Sequence, residues 1–381
     1  MLFTWKLLHL HTLKILTRHD YIYALPAGVD SRLFYLRTLH RTVFGPDDRK
    51  TPALTKADGV DYIPLPTWKI FMIQFLNIAG LGPIFGAIMG AKFGTASYLW
   101  IVLGSIFVGA VHDYLAGMLS LRHDGESLPE IIGRYLGLTT KQLMRGFTVI
   151  LMILVGAVFV AGPAGLLAKL TPDSLDTTFW IIVVFAYYIF ATLLPVDKII
   201  GKIYPLFAVA LLFMAVGILV MLYVNHPALP EIWDGLHPDA VALPIFPIMF
   251  VSIACGAISG FHATQSPLMA RCMTSERHGR PVFYGAMITE GIVALIWAAA
   301  ATYFFHENGM GETNASIIVD AITKDWLGAV GGVWPFWVLL PRLLPVATRL
   351  SVQRASLWRI SWEWNKNPCV AVYIYASRCS W

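Results

Sequence analysis

The stretch QFLNIAGLGPIFGAIMGAKFG, residues 74–94, is an apolar segment that contains Gly-Leu-Gly-Pro near its middle. Apolar runs of about 18 residues or more with few charges are candidates for membrane-spanning helices. Proline cannot donate its backbone nitrogen to the helix ladder, and glycine adopts backbone angles that other residues avoid. The stretch therefore predicts a membrane helix that breaks near Pro83.

The whole chain has the composition of a membrane protein. Hydrophobic residues make up 57% of its 381 residues and charged residues 13%, whereas soluble domains carry about 25% charged residues. The alternation of apolar and polar residues that marks membrane barrels is not sustained. We therefore predict an all-α, polytopic integral membrane helical bundle. The predicted spans are seven apolar runs: 68–91, 98–121, 146–168, 178–196, 204–224, 244–263 and 282–305.

The loops between these runs predict the orientation in the membrane. Segments 122–145, 197–203 and 264–281 together hold nine Lys and Arg residues, and the alternate loops hold two. Positive residues accumulate on the cytoplasmic side of membrane proteins, so we expect these three segments in the cytoplasm. The net charge of +5 is then mainly a topology signal. A nucleic-acid partner is not expected, because no basic patch is evident.

The four cysteines do not indicate a metal site. Cys255, Cys272, Cys369 and Cys379 form no CxxC pair, and no histidine lies at ligand spacing from any of them. Nor does any arrangement of nucleophile and base stand out that would suggest an enzyme. We expect no metal, no other cofactor and no catalytic residues.

Ionisable residues inside the spans are candidates for proton coupling. His112 and Asp113 lie together in the second run, and Glu290 lies in the last. Such residues are costly in a membrane and usually face the protein interior or a water path. Histidine titrates near neutral pH, so the pair is suited to proton relay. The alternatives are an interhelical hydrogen-bonded pair for His112 and Asp113, and a hydrated structural role for Glu290.

Two other stretches are candidates for substrate binding. In the first, the predicted break exposes backbone groups, as in transporters that bind solutes at discontinuous helices; packing of glycines between helices is the alternative. In the second, GAISGFHATQSPLMARC (256–272), polar side chains precede Pro267 and suit an anionic or peptide-like solute; a capped cytoplasmic helix end is the alternative. The candidates are Asn77, Gly80, Gly82 and Pro83, and His262, Thr264, Gln265 and Ser266.

The stretch LRHDGESLPEIIGRYLG, residues 121–137, has the pattern of a short amphipathic helix. Ser127 and Glu130 are spaced as a capping box, and Pro129 suits the first turn. We predict that this helix lies at the cytoplasmic face.

Four stretches together resemble the carbon starvation protein A family, over about residues 43–333. They are DGVDYIPLP (58–66), NIAGLGPIFGAIMGAKFG (77–94), GAVHDYLAGMLSLRHDGESLPEIIGRYLG (109–137) and SGFHATQSPLMARC (259–272). The resemblance implies a multi-pass transporter of the bacterial inner membrane that takes up peptides or a small carboxylate such as pyruvate during nutrient starvation. It also implies the amino acid–polyamine–cation type of fold, with inverted repeats and broken helices. Its partners would be the bilayer, the solute and protons.

A starvation-responsive membrane sensor or partner-binding protein without transport is the alternative function. A large soluble output domain would favour it, and the sequence contains none. The solute, the coupling ion and the oligomeric state are left open by the sequence.

Both ends differ from the family pattern. Residues 1–42 are polar and irregular where the family has an apolar helix, and residues 335–381 do not continue the family sequence. Permissible codons read in another frame give family-like sequence at both ends. We therefore expect out-of-frame segments at 1–42 and 335–381, a cytoplasmic lead-in at 43–67 and a transmembrane bundle at 68–334. A chain truncated in this way is expected to be inactive.

Overall fold

The computed structural model describes residues 45–339 apart from 60, 80–81, 173, 194–196, 228, 231–243, 310 and 312–313. The described residues form helices and no strands, so the predicted all-α class is confirmed. Residues 1–44 and 340–381 lie outside the description, and the predictions for the two ends stay predictions. The helices are α1 (Pro52–Thr55), α2 (Thr67–Ile78), α3 (Gly82–Ala91), α4 (Ala96–Arg122), α5 (Leu128–Leu170), α6 (Thr177–Leu193), α7 (Asp197–Asn225), α8 (Phe250–Ala257), α9 (His262–Ala270), α10 (Gly285–Asn308) and α11 (Ala315–Leu339).

Within the part of the chain that the structure describes, each of the seven predicted apolar runs falls largely on helical residues. Five helical segments within the described residues are long and apolar enough to cross a membrane, and the bent pair α2–α3 makes a sixth. The remaining run, 178–196, contributes α6, which has 17 residues and a length of about 25 Å at the usual helical rise. It is therefore slightly shorter than a hydrocarbon core of about 30 Å.

The predicted break in the first span is confirmed. Helices α2 and α3 bend by 53° where they meet, and α3 begins at Gly82, one residue before Pro83. A Cβ atom added to Gly82 would lie 2.5 Å from the carbonyl oxygen of Cys255 in α8. Glycine at this position therefore lets α3 approach the backbone of α8, as the packing alternative expects.

The predicted amphipathic helix is present, but its capping box is wrong. Ser127 is the N-cap residue of α5, yet its side chain makes no capping hydrogen bond. Glu130 instead forms ion pairs with Lys141 and Arg145, because the chain folds back at Gly137, whose φ of 85° interrupts the helix. Two cations thus compete successfully with the backbone for this carboxylate.

Helix α10 forms the centre of the bundle. It packs against α2, α3, α4, α7, α8 and α11, and its Trp297 is fully buried. The alanines at 298–301 are also fully buried, which allows neighbouring helices to approach closely.

The lead-in before α2 is held to the bundle by a buried carboxylate. Glu276 is fully buried and accepts two hydrogen bonds from Arg122, at 3.1 Å and 3.0 Å. The guanidinium of Arg49 lies 3.4 Å from the same carboxylate. Further along the lead-in, the backbone nitrogen of Leu65 donates to the carbonyl of Cys272. We call the Arg49–Glu276–Arg122 cluster the latch.

Candidate functional site at two broken helices

Two helix breaks lie against each other in the bundle. One separates α2 from α3, and the other separates α8 from α9 at Ser259, which has a φ of 52°. The hydroxyl of Ser259 donates to the carbonyl of Ile78, the last residue of α2, at 3.4 Å. The backbone carbonyl at the end of α2 thus accepts a hydrogen bond from the break between α8 and α9. Paired discontinuous helices of this kind form solute sites in secondary transporters.

A buried polar cluster lies beside these breaks. It is formed where α9 packs against both α4 and α2, and a hydrogen bond from Gln74 joins α2 to α4. A π-helical stretch, Gly104–Gly109, precedes the contributing part of α4, and such stretches often occur at functional sites. We call the cluster the Asp113 network; its members are Gln74, His112, Asp113, His262 and Ser266.

Asp113 is the centre of this network and is fully buried. The side-chain nitrogen of Gln74 donates to both carboxylate oxygens, at 2.9 Å and 3.1 Å. The hydroxyl of Ser266 donates to Oδ1. A buried charge is costly unless it is paired or hydrogen-bonded, and these donors reduce that cost.

Two histidines continue the network away from the carboxylate. Nε2 of His262 lies 3.9 Å from Oδ2 of Asp113, and Nδ1 of His262 lies 3.1 Å from Nδ1 of His112. His262 is fully buried, whereas His112 is exposed. His112 and Asp113 thus make their described contacts with α9 and α2, which is the interhelical hydrogen bonding that the alternative expected. Their role in proton coupling stays a prediction.

The structure places the other predicted substrate residues in three different settings. Asn77 is buried near the end of α2, Gly82 and Pro83 are packed at the start of α3, and Gly80 lies outside the described residues. In α9, the hydroxyl of Thr264 donates to the carbonyl of Phe261 and accepts from the amide of Gln265. Thr264 and Gln265 therefore bond locally, and His262 and Ser266 are the members of that stretch that reach Asp113.

Glu290 lies in α10 and is fully buried. The side chain is therefore not exposed, as a hydrated residue would be, while a structural role stays the alternative. Its burial in the central helix is the setting expected for a functional carboxylate in a membrane. Its role in proton coupling stays a prediction.

Sequence reasoning missed Gln74 and Ser259. Gln74 is an amide in an otherwise apolar helix and lies one turn before Asn77, so the two share a face of α2. That spacing was a usable signal. Ser259 carries no comparable signal, because its role depends on the end of a helix 181 residues earlier in the chain. Within the described segments, no group of three or more His, Cys, Asp or Glu side chains is placed to hold a metal.

Comparison with known proteins identifies the family. The profile of the family described as Carbon starvation protein CstA matches residues 31–173 and 165–326. An uncharacterised membrane protein of Haemophilus influenzae is 43% identical over 72% of this chain and 86% of its own length. The peptide transporter CstA of Bacillus subtilis is 29% identical over 75% of this chain and 60% of its length.

A third relative is named for a different solute. The pyruvate/proton symporter BtsT of Escherichia coli is 28% identical over 67% of this chain and 44% of its own length. The chain thus spans about half the length of these two transporters, and no solved structure matches it. The family match and the apolar helices make it a multi-pass membrane protein. The chain belongs to the carbon starvation protein CstA family.

Proposed function

We propose that this chain is part of a proton-coupled importer of a small carboxylate or a short peptide. The relatives named as a peptide transporter and as a pyruvate/proton symporter support transport of this class. The single observation that carries the proposal is the buried Asp113 carboxylate, which is held by α2 and α9 beside the two helix breaks. A titratable group there can link proton binding to the arrangement of the broken helices.

The charge balance of the network gives the physical basis. When Asp113 is ionised, Gln74 and Ser266 both donate to it and hold α2, α4 and α9 together. When it is protonated, it needs fewer donors, so the amide and the hydroxyl become available to a solute carboxylate or peptide carbonyl. Proton binding and solute binding would then favour the same arrangement, as coupled transport requires.

The experiment is solute uptake into proteoliposomes with and without an inward proton gradient. Asp113→Asn keeps the shape of the side chain and removes its titration, and Glu290→Gln does the same in α10. We expect both variants to insert normally and to lose gradient-driven accumulation. The matched control is Asp176→Asn, because Asp176 caps α6 through the backbone nitrogen of Phe179 and asparagine caps equally well.

The variants are compared in a longer reading frame of the locus, because the 381-residue chain is itself expected to be inactive. Unchanged accumulation and unchanged pH dependence in Asp113→Asn and Glu290→Gln would remove these residues from proton coupling. Absence of proton-dependent uptake of pyruvate, other small carboxylates and short peptides by the longer frame would refute the proposed function itself.

A further inference from the structure

We propose that His112, His262 and Asp113 form an ordered proton relay, with His112 as the entry point and His262 as the obligatory link to the carboxylate. This inference rests on the proposed function for its purpose, but its geometry can be tested without transport. It moves His262 from the substrate-binding group predicted from sequence to the proton path.

The contact between the two imidazoles restricts where their protons can be. Nδ1 of His112 and Nδ1 of His262 are 3.1 Å apart, which is a hydrogen-bond distance. One of the two nitrogens must therefore carry a proton and the other must be bare. Since a neutral imidazole has one N–H and one acceptor nitrogen, the two neutral rings must be in opposite tautomers.

The carboxylate selects between the two possible assignments. Nε2 of His262 faces Oδ2 of Asp113 at 3.9 Å. An ionised carboxylate only accepts hydrogen bonds, so the favoured tautomer of His262 carries its proton on Nε2. Its Nδ1 is then the acceptor, and Nδ1–H of His112 is the donor. Nε2 of His112 is left bare and able to accept a proton.

His112 is also the member of the relay that lies at the surface of the described bundle. It is exposed, whereas His262 and Asp113 are fully buried. It lies ten residues before Arg122, at the end of α4, or about 15 Å along the helix axis. That depth is near the middle of a hydrocarbon core of about 30 Å. An ionisable side chain at this depth typically faces an aqueous path or the protein interior.

One proton moves through the relay with all charges accounted for. A proton binds Nε2 of His112, the Nδ1 proton of His112 passes to Nδ1 of His262, and the Nε2 proton of His262 passes to Oδ2 of Asp113. Both rings end neutral with their tautomers exchanged, and the carboxylate becomes neutral. The last transfer requires the 3.9 Å separation to shorten by about 1 Å, because charge-assisted hydrogen bonds of this kind are about 2.7–2.9 Å long.

The helices around His262 carry few other ionisable groups near the relay. Helix α9 packs against α2, α4 and α5. In α2 the ionisable side chain is Lys69, five residues from Gln74, and in α4 Tyr98, Tyr114 and Arg122 accompany the relay pair. The stretch 146–168 of α5 has none. The buried carboxylate of Glu290 lies in α10, which packs against α2 and α4.

Magnetic resonance of the full chain tests the relay directly. Histidine is labelled with ¹⁵N, the protein is placed in lipid bilayers, and ¹⁵N–¹⁵N correlations across hydrogen bonds are recorded. We expect one correlation between two δ nitrogens, one protonated and one bare, which disappears in His112→Gln and in His262→Gln. The matched control is His278→Gln, because Nδ1 of His278 bonds the hydroxyl of Thr67, 2.9 Å away in α2, and so lies outside the relay.

Two results would overturn the relay. The first is absence of the correlation in the unsubstituted protein, and the second is its persistence in His262→Gln. In the transport assay, His262→Gln should reduce gradient-driven accumulation to the passive level but leave solute exchange without a gradient intact, and His278→Gln should change neither. Loss of exchange together with accumulation would instead place His262 in solute binding. Failure of every version to transport would count against the proposed function, while the correlation would still decide the relay.

Discussion

Replacing Glu276 by glutamine should loosen the cytoplasmic lead-in by a measurable amount. The carboxylate is fully buried and neutralises Arg122 and Arg49. Glutamine keeps one acceptor oxygen, but its other terminal group is an NH2 donor. A guanidinium has only donors, so it cannot accept a hydrogen bond from that NH2 group. The substitution therefore removes the charge and at least one charge-assisted hydrogen bond.

The magnitude follows from the burial of the three side chains. Breaking a fully buried ion pair costs about 3–5 kcal/mol. Here the side chains of Arg122 and Arg49 are 23% and 50% exposed, so water can solvate the stranded guanidinium groups and the cost falls. We expect a loss of about 2–3 kcal/mol, which corresponds to an increase of about 30- to 150-fold in the equilibrium for opening.

The alkylation rate of the Cys272 thiol measures how often the lead-in opens. The lead-in covers it, because the backbone nitrogen of Leu65 donates to its carbonyl. Burial raises the pKa of the Cys272 thiol to about 11, and the thiolate is the reactive form. At pH 8 the closed state should therefore resist alkylation, and opening should restore ordinary reactivity. The rate of iodoacetamide labelling at Cys272, measured by mass spectrometry in nanodiscs, gives the opening equilibrium.

An exposed ion pair in the same lead-in supplies the control. Asp48 pairs with Arg277 at 2.7 Å, and their side chains are 79% and 63% exposed. Such pairs contribute at most about 1 kcal/mol, so Asp48→Asn should raise the labelling rate less than about fivefold. Arg122→Gln in the Glu276→Gln background should add little, because the two residues share one interaction. A rate for Glu276→Gln no higher than that for Asp48→Asn would refute the latch.

Three further predictions address topology, packing and the ends of the chain. A cysteine placed at Pro230 should be labelled from outside the cell and one at Ser275 spared, and the reverse pattern would invert the proposed orientation. Gly82→Ala should lower the free energy of unfolding by about 1–3 kcal/mol, because the added Cβ would meet the Cys255 carbonyl. Gly156→Ala is the control and should not lower it, because open space surrounds Gly156. Equal melting temperatures of the two variants would show that α3 and α8 are not closely packed. Sequencing the locus should reveal a frame change near residue 43 and another near residue 334. The 381-residue chain should then not accumulate solute. Confirmation of the present reading frame together with robust uptake would contradict this prediction.

The helices and the first break were predictable because their causes are local. Long apolar runs need no tertiary context to be recognised, and a Gly-Leu-Gly-Pro run in the middle of a span predicts a break from the local sequence alone. The capping box failed for the opposite reason. Ser127 and Glu130 have the right spacing, but Lys141 and Arg145 return to Glu130 after the chain reverses at Gly137. A glycine with positive φ decided a contact that the spacing alone could not show.

The candidate site was only partly predictable, because its contacts join distant parts of the chain. His112 and His262 were both singled out as polar residues in apolar surroundings, but they are 150 residues apart. Polarity in a span indicates that a side chain needs a partner, and it does not identify that partner. The sequence therefore assigned His112 to protons and His262 to solute, whereas the structure brings their rings into one network.

The latch and the Asp113 network involve the same two parts of the bundle at different depths. Asp113 and Arg122 both belong to α4, nine residues or about 14 Å apart along the helix. Their partners are Ser266 in α9 and Glu276 at the start of a short 3-10 helix, Glu276–His278, that follows α9. Separation of α4 from α9 would therefore disrupt one buried polar contact in the membrane and another at the lead-in. Buried polar contacts are costly when only half made, so intermediate separations are disfavoured at both levels. This pairing favours two discrete arrangements of α4 and α9 over a continuum, which is the physical requirement for a carrier that exposes its site to one side at a time.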